Sequence, residues 1–179
     1  LYAFGIDAGV DTLTSWMRAV SLCAPRIRGG QALLIGETDP TFAQSLMLWN
    51  STVLAQTELR EREQTALPPV FAAACVWGRR DAVKVTLERI GALGEGDLSA
   101  IETTEGMLPS VLGPVPIPQP RTIDSRELEG TADRVKAVVR VPQSRRGELA
   151  LRLRSASARH VAAREPGELR FQLDPKERI

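Results

Sequence analysis

Prolines occupy every second position from 114 to 120 in the segment VLGPVPIPQP, which spans residues 111–120. Each proline lacks a backbone N–H group and has a fixed φ angle, so a segment with this spacing cannot lie at the centre of a β-sheet. We therefore predict that residues 111–116 form a strand at the edge of a sheet. The chain is expected to leave this strand through a proline-stiffened loop.

The segments around the proline series alternate between strand and helix patterns. Before it, the apolar run 70–77 predicts a strand, and residues 78–91 predict a helix that ends at a glycine. After it, RVKAVVRVP at 134–142 and ELRFQLD at 168–174 alternate like strands, and 144–161 reads as a helix. The order β-α-β-β-α-β is the split βαβ pattern of ferredoxin-like α+β folds. Two helices should then cover one face of the sheet and leave the other face open.

The alternation in the last two strands predicts a basic surface on that open face. If the valines of 134–142 and the apolar residues of 168–174 face the helices, the basic side chains between them project to the other side. These side chains are Arg134, Lys136, Arg140 and Arg170. No aromatic residues are expected among them, so base-specific RNA recognition of the kind that uses stacking platforms is not expected.

Charge is distributed unevenly along the chain. From Arg134 onward, 12 lysines and arginines face five acidic residues, a net charge of +7, whereas residues 1–133 carry −6. This segregation indicates an anionic partner, either nucleic acid or an acidic peptide. Within the 144–161 helix, Arg145, Arg152 and Arg159 are seven residues apart and form a stripe. A solvated helix flank whose arginine stems cover apolar surface explains this stripe equally well.

Residues 1–67 read differently from the rest. Helices are predicted at 10–22, 40–49 and 51–65, with a buried strand at 31–37, QALLIGE, of the kind found in an α/β layer. Leu67 precedes a Pro-Pro pair, which ends the third helix because a residue before proline disfavours the α conformation. We therefore divide the chain into an incomplete α/β segment at 1–49, a connecting helix at 50–67 and a domain at 68–179.

Several functional classes are not supported by the sequence. Two cysteines 52 positions apart and a single histidine cannot form a zinc site, and no phosphate-binding glycine loop with its lysine occurs. No catalytic centre is recognisable in this chain. The sequence contains no stretch of 18 uncharged apolar residues and no secretory signal, so a soluble, cytoplasmic protein without membrane contact is expected. The opening Leu1 favours a C-terminal piece of a longer protein.

Four segments in series resemble the C-terminal part of the PriA family of primosomal replication restart proteins (protein N′). They are GGQALLIGETDP, ELREREQTALPPV, VLGPVPIPQP and ELRFQLDP. The resemblance implies that 1–49 is the end of a RecA-like second helicase lobe and that 68–179 is the family's C-terminal DNA-binding domain. It further implies binding of forked or single-stranded DNA, of the acidic tail of single-stranded-DNA-binding protein, and of other primosome proteins at the nucleoid.

The same resemblance implies roles for individual residues. Arg145 matches the family's tail-binding arginine, with Arg152 further along the same helix and Leu149 where known members carry glutamine. Arg26 and Arg28 lie where the family's arginine motif reaches the ATP γ-phosphate, but the motif's glutamine is missing and Pro25 interrupts the helix. The family uses ATP and Mg²⁺, and its zinc site lies upstream, so no cofactor is predicted here. The degraded motif resembles the actinobacterial branch, in which helicase activity is thought to be absent.

Three functional hypotheses remain open. The first is a replication restart and primosome assembly initiator that binds DNA without its own helicase activity. The second is an active ATP-dependent 3'-5' DNA helicase of replication restart, with Arg26 or Arg28 replacing the usual arginine. The third keeps only the fold: a ferredoxin-like module whose basic edge binds an acidic peptide.

Overall fold

The computed structural model describes residues 7–117 and 133–175, which form parts of two compact units. The first unit runs to Glu61 and the second from Arg62 to Pro175. The boundary between the units falls inside the predicted connecting segment 50–67. The loop predicted at the end of the proline series, from Pro118, lies outside the described residues.

The described part of the first unit is helical. Helix α1 covers Ala8–Val20, α2 covers Pro40–Met47, and α3, Thr52–Gln64, continues past the unit boundary. Asp39 caps α2 by accepting a hydrogen bond from the Thr41 amide, and Pro40 fits the first helical position, where no N–H is needed. These three helices confirm the helices predicted at 10–22, 40–49 and 51–65.

The predicted strand at residues 31–37 is wrong. No residue from 7 to 61 lies in a strand, and Leu33 and Ile35 are 85% and 90% exposed. An isolated extended segment does not form a strand, because its backbone groups need a neighbouring strand as partner. The structure therefore does not confirm a RecA-like α/β layer in this part of the chain.

The second unit is a small α+β domain built on a four-stranded antiparallel sheet. Its strands are β1, Phe71–Arg79; β4, Val111–Pro116; β5, Arg134–Pro142; and β6, Leu169–Leu173. They are arranged in the order β4-β5-β1-β6. The proline-containing strand β4 lies at an edge as predicted, and its pairing with β5 is interrupted between Leu112 and Val115. Between the strands run helices α4, Arg80–Arg89, and α5, Arg146–Ala162.

One face of the sheet packs against α4 and α5 and forms the main core. Alternate residues of β1 and β5 are buried there, as the strand periodicity predicts. The buried residues include Ala72, Ala74, Val76, Val135, Ala137, Val139 and Val141 from the sheet, Val83 and Leu87 from α4, and Leu149 and Leu153 from α5. Burying each Leu side chain stabilises the fold by about 1.5–3 kcal/mol, so this face holds the domain together.

A short hairpin covers part of the opposite face. Strands β2, Ala100–Thr103, and β3, Gly106–Pro109, form this hairpin in a stretch for which no strand was predicted. Ile101 is buried with Ala66 and Phe71, and Leu108 packs against the same cluster. The second sheet face is therefore open only at the end away from Phe71.

Candidate nucleic-acid interface

The hairpin covers one of the basic residues that were predicted to lie on the open face. Arg140 is only 3% exposed, and its guanidinium donates hydrogen bonds to the carbonyl oxygens of Thr65 and Pro109. Burial lowers the pKa of this guanidinium, because a charged group is less stable away from water. The prediction that Arg140 projects from an open face is wrong. It joins the sheet to the hairpin and to the end of α3.

The remaining open part of this face carries a row of four side chains across the sheet. Trp77 pairs in register with Lys136 on one side and Arg170 on the other, and Val115 pairs with Lys136. We call Val115, Lys136, Trp77 and Arg170 the Trp77 row. Val76, the residue before Trp77, is buried against the helices, which places Trp77 on the opposite face. The expectation that no aromatic residue lies among the basic ones is therefore wrong.

Ion pairs within the domain link two of the predicted basic residues to one carboxylate. Glu168 accepts from Arg134 Nη2 at 2.9 Å and from Arg170 Nε at 2.8 Å. The Arg170 side chain is nevertheless 68% exposed. Exposed ion pairs contribute only about 0–1 kcal/mol, so a phosphate can compete for these arginines.

Lys136 lies on the same face as a buried thiol. Burial raises the pKa of Cys75, and the positive charge of Lys136 acts in the opposite direction. Cys75 and Trp77 are alternate residues of β1 and so share one face of the sheet. The register pairs Lys136 with Trp77, so Cys75, Trp77 and Lys136 lie on the same face.

The two arginines expected to bind an acidic tail are brought together at the start of α5. Asp97 accepts from Arg145 Nη2 at 2.7 Å and from Arg152 Nη1 at 2.6 Å. Glu148 accepts from Arg145 Nε at 2.7 Å and from Arg152 Nη2 at 2.5 Å. We call these four residues, Asp97, Arg145, Glu148 and Arg152, the Asp97 clamp. Both arginines thus already bind carboxylates of their own chain.

The electrostatics of the Asp97 clamp follow from these contacts. Hydrogen bonds from Arg152 and then Arg145 hold the pKa of Asp97 well below its usual range. A hydrogen bond from Arg145 is the largest cause of the lowered pKa of Glu148. Charge-assisted bonds of this kind favour the ionised carboxylate, so both acids remain charged at neutral pH.

We expect the Asp97 clamp to make stability depend on pH in acid. The pKa values of Asp97 and Glu148 are lower in the folded state, so their contribution is complete above the unfolded pKa of about 4 and is lost as pH falls through the folded values. The urea concentration at the unfolding midpoint should decrease between pH 7 and pH 3 in both proteins. The decrease should be larger for the unmodified chain than for Asp97→Asn. Equal falls in the two proteins would contradict this assignment.

The other predicted site residues lie apart from both groups. Leu149 is fully buried in the core between α5 and the sheet, so it cannot line a surface pocket for a tail. Arg26 and Arg28 form a single exposed 3₁₀ turn in the first unit. In the described ranges 7–117 and 133–175, no three His, Cys, Asp or Glu side chains come together as metal ligands. None of the helices within the same ranges could span a bilayer.

The fold and the site define a small α+β domain with a basic, aromatic-centred sheet face and an arginine-rich helix. Residues 63–176, well over half of the chain, match the family described as the primosomal protein N C-terminal domain. The chain belongs to this family, which confirms the resemblance found in the sequence. The match begins one residue after the start of the second compact unit at Arg62.

Curated relatives extend the similarity beyond that domain. The chain is 32% identical over 174 residues to the probable replication restart protein PriA of Mycobacterium leprae. The aligned region covers 95% of this chain and 24% of that protein. It is 30% identical over the same length to the protein of that name from Mycobacterium tuberculosis, with 95% and 25% coverage. The chain thus spans about a quarter of the length of these relatives.

Proposed function

We propose that this chain contributes DNA binding to replication restart, through the open part of the sheet face in its second unit. The name of the mycobacterial relatives, probable replication restart protein PriA, supports the biological role. The observation that carries the DNA-binding part is the Trp77 row, where an aromatic side chain lies between Lys136 and Arg170. Single-stranded nucleic acid binds to surfaces that combine cations for phosphates with aromatic rings for bases.

The strand order supports a ferredoxin-like arrangement for this domain. The central pair β1 and β5 is flanked by β6 and β4, and both helices pack on one face. This arrangement leaves one sheet face available for a ligand. In this chain the β2–β3 hairpin narrows that surface to the end that carries Trp77, Lys136 and Arg170.

The salt dependence of DNA binding tests this proposal. Arg134, Lys136 and Arg170 provide about three phosphate contacts, so affinity for a single-stranded oligonucleotide should fall about 20-fold between 50 and 200 mM salt. Fluorescence anisotropy with labelled forked and single-stranded DNA measures this directly. Absence of binding at 50 mM salt, or affinity that does not change with salt, would overturn the proposal.

A carboxylate within the surface provides a second test of the same proposal. Glu168 pairs with Arg134 and Arg170, so Glu168→Gln should release both arginines for phosphate and raise DNA affinity about threefold at low salt. Glu102→Gln, at an exposed position of the hairpin, is the matched control and should leave affinity unchanged. Equal increases in both variants would mean that only net charge matters.

We propose a second binding activity, for an acidic peptide, at the Asp97 clamp. The observation in its favour is that Arg145 and Arg152 already hold two carboxylates side by side, with N–O distances of 2.5–2.7 Å. An acidic C-terminal tail, such as that of single-stranded-DNA-binding protein, would bind by replacing Asp97. Asp97→Asn should therefore raise peptide affinity about fivefold, and Arg145→Ala should lower it. Calorimetric titration in which Asp97→Asn weakens binding would contradict this proposal.

We also propose that the protein containing this chain acts without its own helicase activity, even if residues 1–49 derive from a helicase lobe. Pro25 precedes a single 3₁₀ turn, and Arg26 and Arg28 are exposed there instead of being aimed by a longer helix. Arginines that stabilise phosphoryl transfer must be held in place. If forked DNA stimulates ATP hydrolysis by the full-length protein, this result would support the active-helicase alternative instead.

A further inference from the structure

We infer that Trp77 is a stacking platform for a base of single-stranded DNA, with Lys136 and Arg170 holding the phosphates on either side. This inference deepens the proposed DNA binding and rests on it. It assigns the base contact to one side chain, and it can fail while phosphate-driven DNA binding to the same surface holds.

The position of Trp77 in the sheet makes its side chain both accessible and well held. Trp77 lies on β1, one of the two central strands, and is half-buried on the face opposite the helices. Part of the Trp77 side chain therefore remains accessible to a ligand. A platform of this kind is rigid, because the strand on either side fixes the backbone.

The approach of β6 places the second cation beside Trp77. Gly78 has a φ angle of +150°, and a Cβ atom at this position would lie 1.9 Å from the carbonyl oxygen of Glu168. Only glycine therefore allows β6 to come this close at its first residues. The register that results pairs Trp77 with Arg170.

The spacing of the two cations fits a strand that crosses the sheet. Neighbouring strands are about 4.8 Å apart, so Lys136 and Arg170 start about 10 Å apart with Trp77 midway. The hairpin covers the Phe71 end of this face, so a nucleic acid strand has to run along the Trp77 row. Val115, which is 55% exposed, adds an apolar side chain beyond Lys136 at the end of that row.

The charges around Trp77 favour an anionic ligand over an apolar one. Lys136 and Arg170 flank it across the sheet, and Arg79 and Arg134 form the next pair on the same face. The carboxylates that oppose them are Glu168, which pairs with Arg134 and Arg170, and Asp81, which lies 3.5 Å from Arg79. Among residues 7–117 and 133–175, four basic residues thus face two acidic ones around a partly accessible indole, which is the combination that binds single strands with little sequence preference.

The test compares two oligonucleotides of equal charge. Oligothymidylate carries bases, whereas an abasic deoxyribose-phosphate strand of the same length carries phosphates alone. The unmodified chain should bind oligothymidylate about 10-fold more tightly, and Trp77→Ala should remove this preference while leaving the salt dependence unchanged. Trp77→Phe should keep most of the preference, because a smaller aromatic ring still stacks.

Tryptophan fluorescence of the unmodified chain gives a readout that does not depend on the folding of Trp77→Ala. Oligothymidylate should quench the emission, the abasic strand should not, and the quenching should disappear in Trp77→Phe, which retains Trp16 and Trp49. Equal affinity and equal quenching with both strands would overturn the stacking inference alone. Failure of the unmodified chain to bind either strand would instead overturn the proposed DNA binding.

Discussion

Replacing Arg140 with methionine is expected to lower the free energy of unfolding by about 2–4 kcal/mol, because two carbonyl groups lose a charged hydrogen-bond donor. The residue is almost fully buried, and its guanidinium donates to the carbonyl oxygens of Thr65 and Pro109 through its two terminal nitrogens. Methionine preserves most of the apolar stem, so the loss reports on the hydrogen bonds. Removing a buried charge relieves part of its desolvation cost, which keeps the expected value below the sum of two full penalties.

Urea denaturation measures this effect as a shift of the midpoint at constant slope. Arg154→Met, at an exposed position of α5, is the matched control and should change stability by less than about 0.5 kcal/mol. An Arg140→Met variant as stable as the control, or more stable, would contradict the structural role assigned here. It would also reopen the possibility that Arg140 reaches a ligand.

The second large effect concerns DNA. Changing Lys136 and Arg170 together to glutamate should lower affinity for single-stranded DNA about 100-fold at 50 mM salt, because two phosphate contacts are replaced by two repulsive charges. The variant also leaves Glu168 without the Arg170 partner, which adds negative charge to the same surface.

A charge-matched variant separates a local effect from a net-charge effect. Arg154 and Arg159 are exposed on α5, and changing both to glutamate alters the net charge of the chain by the same amount. We expect this control to lose less than about fivefold in affinity under the same conditions. Equal losses in the two double variants, measured by fluorescence anisotropy, would show that DNA does not recognise the Trp77 row.

The sequence determined the main sheet well where alternation was strong. Strand β5 was predicted at 134–142 and has those bounds, because alternate valines and basic residues distinguish its two faces. The same pattern could not show whether the basic face was covered. Arg140 and Lys136 occupy equivalent places in the alternation, yet only Arg140 lies under the hairpin and the end of α3.

Two errors arose from short segments. The hairpin strands have four residues each, too few for a period of two to stand out, and their exposed faces carry Glu102 and Met107. The apolar run at 31–37 looked like a buried strand, but a strand forms only where another supplies its hydrogen bonds. Composition of a single segment cannot reveal whether that partner exists.

The period of two gives the position of Trp77, and the helical period gives that of Leu149. Trp77 is separated from Ala73 and Cys75 by steps of two, so following β1 to its end places it with Lys136 on the second face. Leu149 is four residues before Leu153, which predicts a core position on the inner stripe of α5. The family resemblance drew attention to Leu149 as a pocket residue, whereas the helical period assigns it to the core.

Amide chemical-shift mapping of the chain with a short oligothymidylate tests the central claim most directly. The DNA surface assigned here predicts that the largest shifts occur at Trp77, Lys136 and Arg170, with smaller ones at Val115 and Arg134. Residues of the opposite, helix-covered face, such as Leu87 and Leu153, should not respond. Shifts confined to α4 and α5 or to the first unit, with the Trp77 row unchanged, would contradict the account.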